Sequence, residues 1–156
     1  MKSLVVLCAL SGLAAADVHT NAAAKLSFDA PKTYTLTEQD TQMKGESEDK
    51  AVALAFWLVD SADPDPAKKA VEQQFYSALA SVQWDKPKAA RLNGLAANFI
   101  DGSGRTTGKT LDLQMVVVGP TASKKYAILI GIVDHAKAAA HKAEITAILK
   151  SLKPAK

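Results

Sequence analysis

The run AVALAFWLV, residues 51–59, sets nine apolar residues side by side between Lys50 and Asp60. A strand that is apolar at every position has no face to show to water, so both faces of its sheet must be covered. YAILIGIV, residues 126–133, makes the same demand. Whatever sheet holds these strands needs a layer above it and a layer below it.

Two segments have the periodicity to supply those layers. In DSADPDPAKKAVEQQFYSALASV, the residues Ala67, Val71, Phe75, Ala78, Leu79 and Val82 fall on one stripe of a helix while Lys68, Lys69 and Gln73 face away. Asp63-Pro64 and Asp65-Pro66 each offer a capping acid followed by a proline suited to the first helical position. The spacing predicts a helix of about four turns. DHAKAAAHKAEITAILKSLK repeats the pattern, with Asp134 as the cap and Ala138, His141, Ile145, Ile148, Leu149 and Leu152 on one face.

The remaining segments read as strands and turns. AKLSFDAP and KTYTLTEQ alternate at Leu26, Phe28, Tyr34 and Leu36 around Pro31, and the polar TQMKGESEDK that follows has the composition of a turn. After the proline-interrupted link QWDKPKAA, the segments RLNGLAANFI, TLDLQMVVVGP and YAILIGIV read as three strands, joined by the turns DGSGRTTGK and TASKK. The predicted order is β-β-β-α-β-β-β-α. Short links between consecutive strands make the sheet mainly antiparallel. The expected fold class is α+β, a mainly antiparallel sheet flanked by two amphipathic helices in a three-layer α/β/α sandwich.

MKSLVVLCALSGLAAADVHT opens with Lys2, continues with an apolar run from Leu4 to Leu10, breaks at Ser11-Gly12 and ends in Ala14-Ala15-Ala16. This is the order of parts in a secretory signal peptide cut before Asp17. The expectation is a signal peptide over 1–16, a flexible terminus over 17–24 and a single domain over 25–156. Cys8 is the only cysteine, and Leu7 before it is too bulky for a lipoprotein cleavage site. The processed chain would have no thiol for a disulfide, a metal or a nucleophile.

Composition then narrows the partners. Without residues 1–16 the chain carries 18 basic and 16 acidic residues, and among the basic ones only Arg91 and Arg105 are arginines. A nearly neutral chain with scattered lysines lacks the clustered arginines of a nucleic-acid surface. No nucleic-acid partner and no transmembrane segment are expected.

DGSGRTTGKT, residues 101–110, ends like a phosphate-binding loop. A P-loop needs glycine where Ser103 stands, and a dinucleotide loop needs it where Thr107 stands. Both motifs also require a helix to follow, whereas Leu111, Leu113 and Met115 alternate with Asp112 and Gln114 as in a strand. The stretch is therefore expected to be a hairpin loop in which Gly102, Gly104 and Gly108 supply backbone freedom, with Arg105 and Lys109 at its tip.

His135 and His141 lie six residues apart, which on a helix separates them by about 120° and about 9 Å, too far to share a metal. His141 is expected at the boundary of the apolar stripe and His135 in solvent. Asp60, Asp63 and Asp65 lack the glycine and distal glutamate of a calcium loop and read as capping residues. Trp57 and Trp84 read as core residues, and Asp101 as a turn former. No serine has a partner that periodicity would bring near it. Catalytic residues are not expected.

The N-terminus offers a different chemistry. A chain that starts Asp17-Val18-His19 presents a free amine with histidine third, so the amine, two deprotonated amides and the imidazole can form a plane of four nitrogens. That plane suits Cu(II) or Ni(II).

FDAPKTY, with Phe28, Pro31 and Tyr34, and YAILIGIV followed by a helix ending in ITAILKSLK resemble the PsbP-like superfamily, and the resemblance spans most of residues 25–153. That superfamily also contains a nuclear-import factor that binds Ran and many small exported bacterial proteins. The resemblance implies an antiparallel sheet between helices and a binding or accessory role. It carries over no functional residues. Tyr34 stands where tryptophan is common and no lipidation cysteine is present. The signal-like terminus argues against Ran as a partner. The expectation is a small exported binding or accessory protein of the cell envelope or periplasm, acting on a protein or small-molecule partner. The alternatives are metal binding at the terminus and an enzyme whose site assembles from distant residues.

Overall fold

The computed structural model describes residues 15–156, without the side chains of Pro64, Ala67 and Phe75. Most of the expected signal peptide, Cys8 included, lies outside the described residues. A small sheet joins β1 (Ala16–Asn21), β2 (Leu26–Pro31) and β11 (Lys153–Pro154), with β2 in the middle. The large sheet has the order β3-β4-β5-β10-β9-β8-β6. Its members are β3 (Tyr34–Gln39), β4 (Gln42–Ser47), β5 (Val52–Val59), β6 (Ser81–Trp84), β8 (Leu95–Thr106), β9 (Lys109–Val118) and β10 (Tyr126–Asp134), and β7 (Lys88–Leu92) pairs with β8. All of these pairings are antiparallel. Helix α1 (Pro64–Ala78) follows β5, and α2 (Ala138–Lys150) follows a single 3-10 turn at His135–Lys137.

β5 and β10 lie side by side in the middle of the large sheet, as their unbroken apolar runs require. One face presents Leu54, Phe56, Val116 and Leu129 to Phe28 of the small sheet and to Ile145, Ile148 and Leu149 of α2. Phe28 and Phe56 stack there with ring centroids 6.3 Å apart. The opposite face presents Ala55, Met115, Ile128 and Ile130 to Val71 of α1. The architecture is the expected α+β sandwich, with the small sheet sharing the α2 layer.

The local differences have physical reasons. QMKGES, expected as a turn, is β4: its inward positions are Met43, Gly45 and Ser47, so the alternation holds while only one inward side chain is large and apolar. QWDKPKAA holds the end of β6 and the start of β7 on either side of its proline. RLNGLAANFI is two strands, because Asn93 and Gly94 both have positive φ (49° and 87°) and make a tight hairpin between β7 and β8.

DGSGRTTGK is mostly β8, and the turn is confined to Thr107-Gly108. Gly102 and Gly104 serve close packing, not backbone freedom: a Cβ would lie 2.5 Å from Trp84 Cε3 at the first and 2.7 Å from Leu79 Cδ1 at the second. Asp101, expected to form a turn, pairs with Gln114 within the sheet. The stretch 17–24, expected to be flexible, contains β1 and a turn held by Asn21, whose Oδ1 accepts the Ala24 N–H at 2.9 Å and whose Nδ2 donates to the Asp40 carbonyl at 3.1 Å.

Candidate functional site

A cleft of about 260 Å³ opens beside α2, lined by Thr33, Tyr34, Ser47, Glu48, Asp49, His141 and Glu144. Three parts of the chain meet there. The bend after Pro31 leads into β3 and buries Tyr34, which is 6% exposed. The end of β4 contributes Ser47, the β4–β5 turn contributes Asp49, and α2 contributes His141 and Glu144 one turn apart.

The polar groups form one connected chain. The Tyr34 hydroxyl donates to Glu144 Oε1 at 2.6 Å. His141 Nδ1 stands 3.5 Å from that same oxygen, and its Nε2 stands 3.2 Å from Asp49 Oδ2. Asp49 Oδ1 accepts the Ser47 hydroxyl at 2.6 Å and the Ala51 N–H at 3.1 Å, while Ser47 Oγ accepts the Val52 N–H at 3.0 Å. The Ser47 hydroxyl and then the Ala51 amide hold the Asp49 carboxyl below its ordinary range. Burial, and after it the bond to Glu144, drives the Tyr34 phenol far above the ordinary tyrosine value. An imidazole with a carboxylate at each nitrogen can donate to both only when protonated.

This arrangement can hold charge and hydrogen-bonding groups in fixed places. It does not resemble a nucleophile with its base, since the Tyr34 and Ser47 hydroxyls both donate to carboxylates. Among the described residues no group of three or more His, Asp and Glu side chains is arranged to hold a metal ion.

The structure places the residues singled out in the sequence as follows. His141 sits at the edge of the α2 stripe with its side chain 19% exposed, and it makes two ion-pair contacts where a plain boundary residue was expected. His135 is exposed, yet its Nδ1 lies 2.7 Å from Asp112 Oδ1. Asp63 accepts the Asp65 N–H at 3.0 Å and caps α1 as expected, whereas Asp134, expected to cap α2, accepts the Ala136 N–H at 3.0 Å and caps the 3-10 turn before it; the N-cap of α2 is Lys137, with no side-chain cap bond. Trp57 lines a groove beside α1 with Gln42, Ala70 and Val71, and Trp84 lies against Gly102. Lys109 pairs with Asp134 at 3.5 Å. Asp17, Val18 and His19 stand in β1, with Asp17 3.8 Å from Lys32 and the His19 ring 5.8 Å from that of Phe28.

Tyr34, Ser47, Asp49 and Glu144 carry no signal in the sequence that would join them. Tyr34 and Glu144 are 110 residues apart, and each fits an ordinary role in its own element.

No protein-family model matches this chain, and no curated protein sequence matches it. Solved structures do. Cyanobacterial PsbP (CyanoP) from Synechocystis sp. PCC 6803 superposes with a TM-score of 0.67 over 93% of this chain and 95% of its own, at 9% identity. LpqN, involved in cell envelope biogenesis of Mycobacterium tuberculosis, gives 0.57 over 82% of each chain at 13% identity. The Ran-binding protein Mog1p of Saccharomyces cerevisiae gives 0.59 over 90% of this chain and 95% of its own, at 11% identity. Identities this low speak to fold alone, and they agree with what FDAPKTY and ITAILKSLK implied: the chain has the PsbP-like fold.

Proposed function

We propose that this chain is an exported, non-catalytic binding or accessory protein of the cell envelope or periplasm, and that it meets its partner at the cleft beside α2. The observation that carries this reading is the fixed chain from Tyr34 through Glu144, His141 and Asp49 to Ser47. It locks three elements around a solvent-open cleft, and it commits the Tyr34 and Ser47 hydroxyls to carboxylates. A site built in this way presents charge in a preorganised geometry, which lowers the ordering cost of binding a partner.

Export is supported by the N-terminal pattern of residues 1–16 and by the likeness to LpqN, a protein of envelope biogenesis. A partner protein is supported by the likeness to a Ran-binding protein, although a signal-bearing chain would not meet Ran itself.

Fractionation of the host together with in-cell photo-crosslinking tests the reading. A photo-reactive residue at position 48 should form an adduct in the exported fraction, and one at position 69 on α1 should not. A chain retained in the cytoplasm, or equal adducts from both positions, would overturn it.

A further inference from the structure

We propose a second site, independent of the cleft: a Cu(II) or Ni(II) site at Asp17-Val18-His19 whose occupation strips the first half of β1 from the small sheet. The metal site and the strand compete for one backbone group, the His19 amide.

The register shows the competition. The Lys32 N–H donates to the Ala15 carbonyl at 3.0 Å, so residues 15 and 32 form a hydrogen-bonded pair. In an antiparallel ladder such pairs recur at every second residue. Asp17 with Ala30 and His19 with Phe28 are therefore hydrogen-bonded pairs as well. The other side of β2 agrees, since the Lys25 carbonyl accepts the Ala155 N–H at 2.9 Å and Ser27 pairs with Lys153. The odd-numbered residues of β2 face β11 and the even-numbered ones face β1. The His19 N–H thus donates to the Phe28 carbonyl, while the Val18 N–H points away from β2.

In a chain cut before Asp17, which loses Ala15 and, from the strand, Ala16, a planar four-nitrogen chelate uses the Asp17 amine, the Val18 and His19 amide nitrogens and the His19 Nδ1. Each metal ion displaces both amide protons, and the proton of the terminal ammonium, to water as its nitrogen bonds form. The Val18 amide can give up its proton without cost to the ladder. The His19 amide must leave the Phe28 carbonyl, and its ring must leave the face of Phe28, 5.8 Å away. β1 is suited to release because it is an edge strand and Val18 is 63% exposed. The release stops at Asn21, which is buried and bonded to Asp40 and Ala24. Metal capture consequently opens the β2 edge at Phe28 and Ala30.

The test uses protein recovered from the exported fraction of its own host. Its intact mass identifies the first residue, a Cu(II) titration follows the visible band of planar four-nitrogen copper, and amide hydrogen exchange is read with and without metal. The expected result is a chain starting at Asp17 that binds one equivalent, with exchange at Phe28 and Ala30 at least about tenfold faster in the copper form. A His19→Ala variant should lose the band and keep both amides protected. A mass that starts elsewhere, an identical titration for His19→Ala, or bound copper with Phe28 and Ala30 still protected would overturn the proposal. None of these outcomes bears on the cleft beside α2.

Discussion

The two faces of the large sheet are covered by helices that look alike in sequence and are held very differently. α2 buries Ala138, Ile145, Ile148 and Leu149. It is also tied to the sheets by Tyr34 to Glu144 at 2.6 Å, by Gln114 to Thr146 at 3.3 Å, and by the Asp29 N–H to Ser151 Oγ at 2.8 Å just past its end. Asn93 of the β7–β8 turn donates to the Lys150 and Leu152 carbonyls at 3.2 and 2.8 Å, which covers the helix C-terminus. On α1 only Val71 is buried among the described side chains, and Lys68–Glu72 and Ser77–Gln74 are contacts within the helix. An apolar stripe brings a helix to a sheet; how firmly it is held depends on what the sheet offers in return.

Deleting one buried side chain from each helix probes that contrast most strongly. Ile145→Ala removes a fully buried side chain from a packed face and should lower stability by about 3–4 kcal/mol in urea unfolding. Val71→Ala should lower it by about 1.5 kcal/mol. Equal losses would mean that α1 is held as tightly as α2.

A smaller effect comes from adding a methyl group to the sheet where Ile145 of α2, or Leu79 just past α1, approaches it. A Cβ at Gly131 would lie 2.3 Å from Ile145 Cγ2, a stiff β-branched side chain with no room to move, so Gly131→Ala should cost about 3 kcal/mol. At Gly104 the obstacle is Leu79 Cδ1 at 2.7 Å, the far end of a half-buried side chain that can turn aside. Gly104→Ala should cost less than about 1 kcal/mol, with α1 absorbing the shift. A Gly104→Ala loss as large as that at Gly131 would show both faces to be equally rigid.

The smallest effect tests the polar tie on the α2 side. Tyr34→Phe removes the donor to Glu144 and should lower stability by about 1 kcal/mol at pH 8. Because the folded-state pKa of Tyr34 is raised, the phenol's contribution is complete below the ordinary value of 10.0 and is lost as the pH climbs above it. The gap in Tm between the two proteins should therefore shrink between pH 8 and pH 11. A constant gap would mean that Tyr34 contributes packing alone.

The layered plan was legible because it rests on periodicity, which is local. Residues 51–59 and 126–133 asked for cover on both faces, and the stripes of α1 and α2 supplied it. β4 was hidden because Gly45 and Ser47 occupy inward positions, where the pattern rule expects large apolar residues. Gly102 and Gly104 were read as loop residues because glycine in a sequence signals backbone freedom equally with close approach, and only the neighbours Trp84 and Leu79 tell the two apart. His141 was visible as a residue at the rim of a helix, but its carboxylate partner Asp49 lies in a turn far away along the chain.

The sequence by itself determined that two layers must enclose the sheet, that residues 52–59 and 126–134 lie inside it and that α1 starts after Asp63, because each of these follows from spacing within one element. Only the tertiary structure decided the rest. The meeting of Tyr34, Asp49, His141 and Glu144, the bonding of the His19 amide to Phe28 and the unequal grip on α1 and α2 all depend on which elements become neighbours. Neighbourhood in a sheet is set by long-range pairing, and no local pattern encodes the distance between groups that folding brings together.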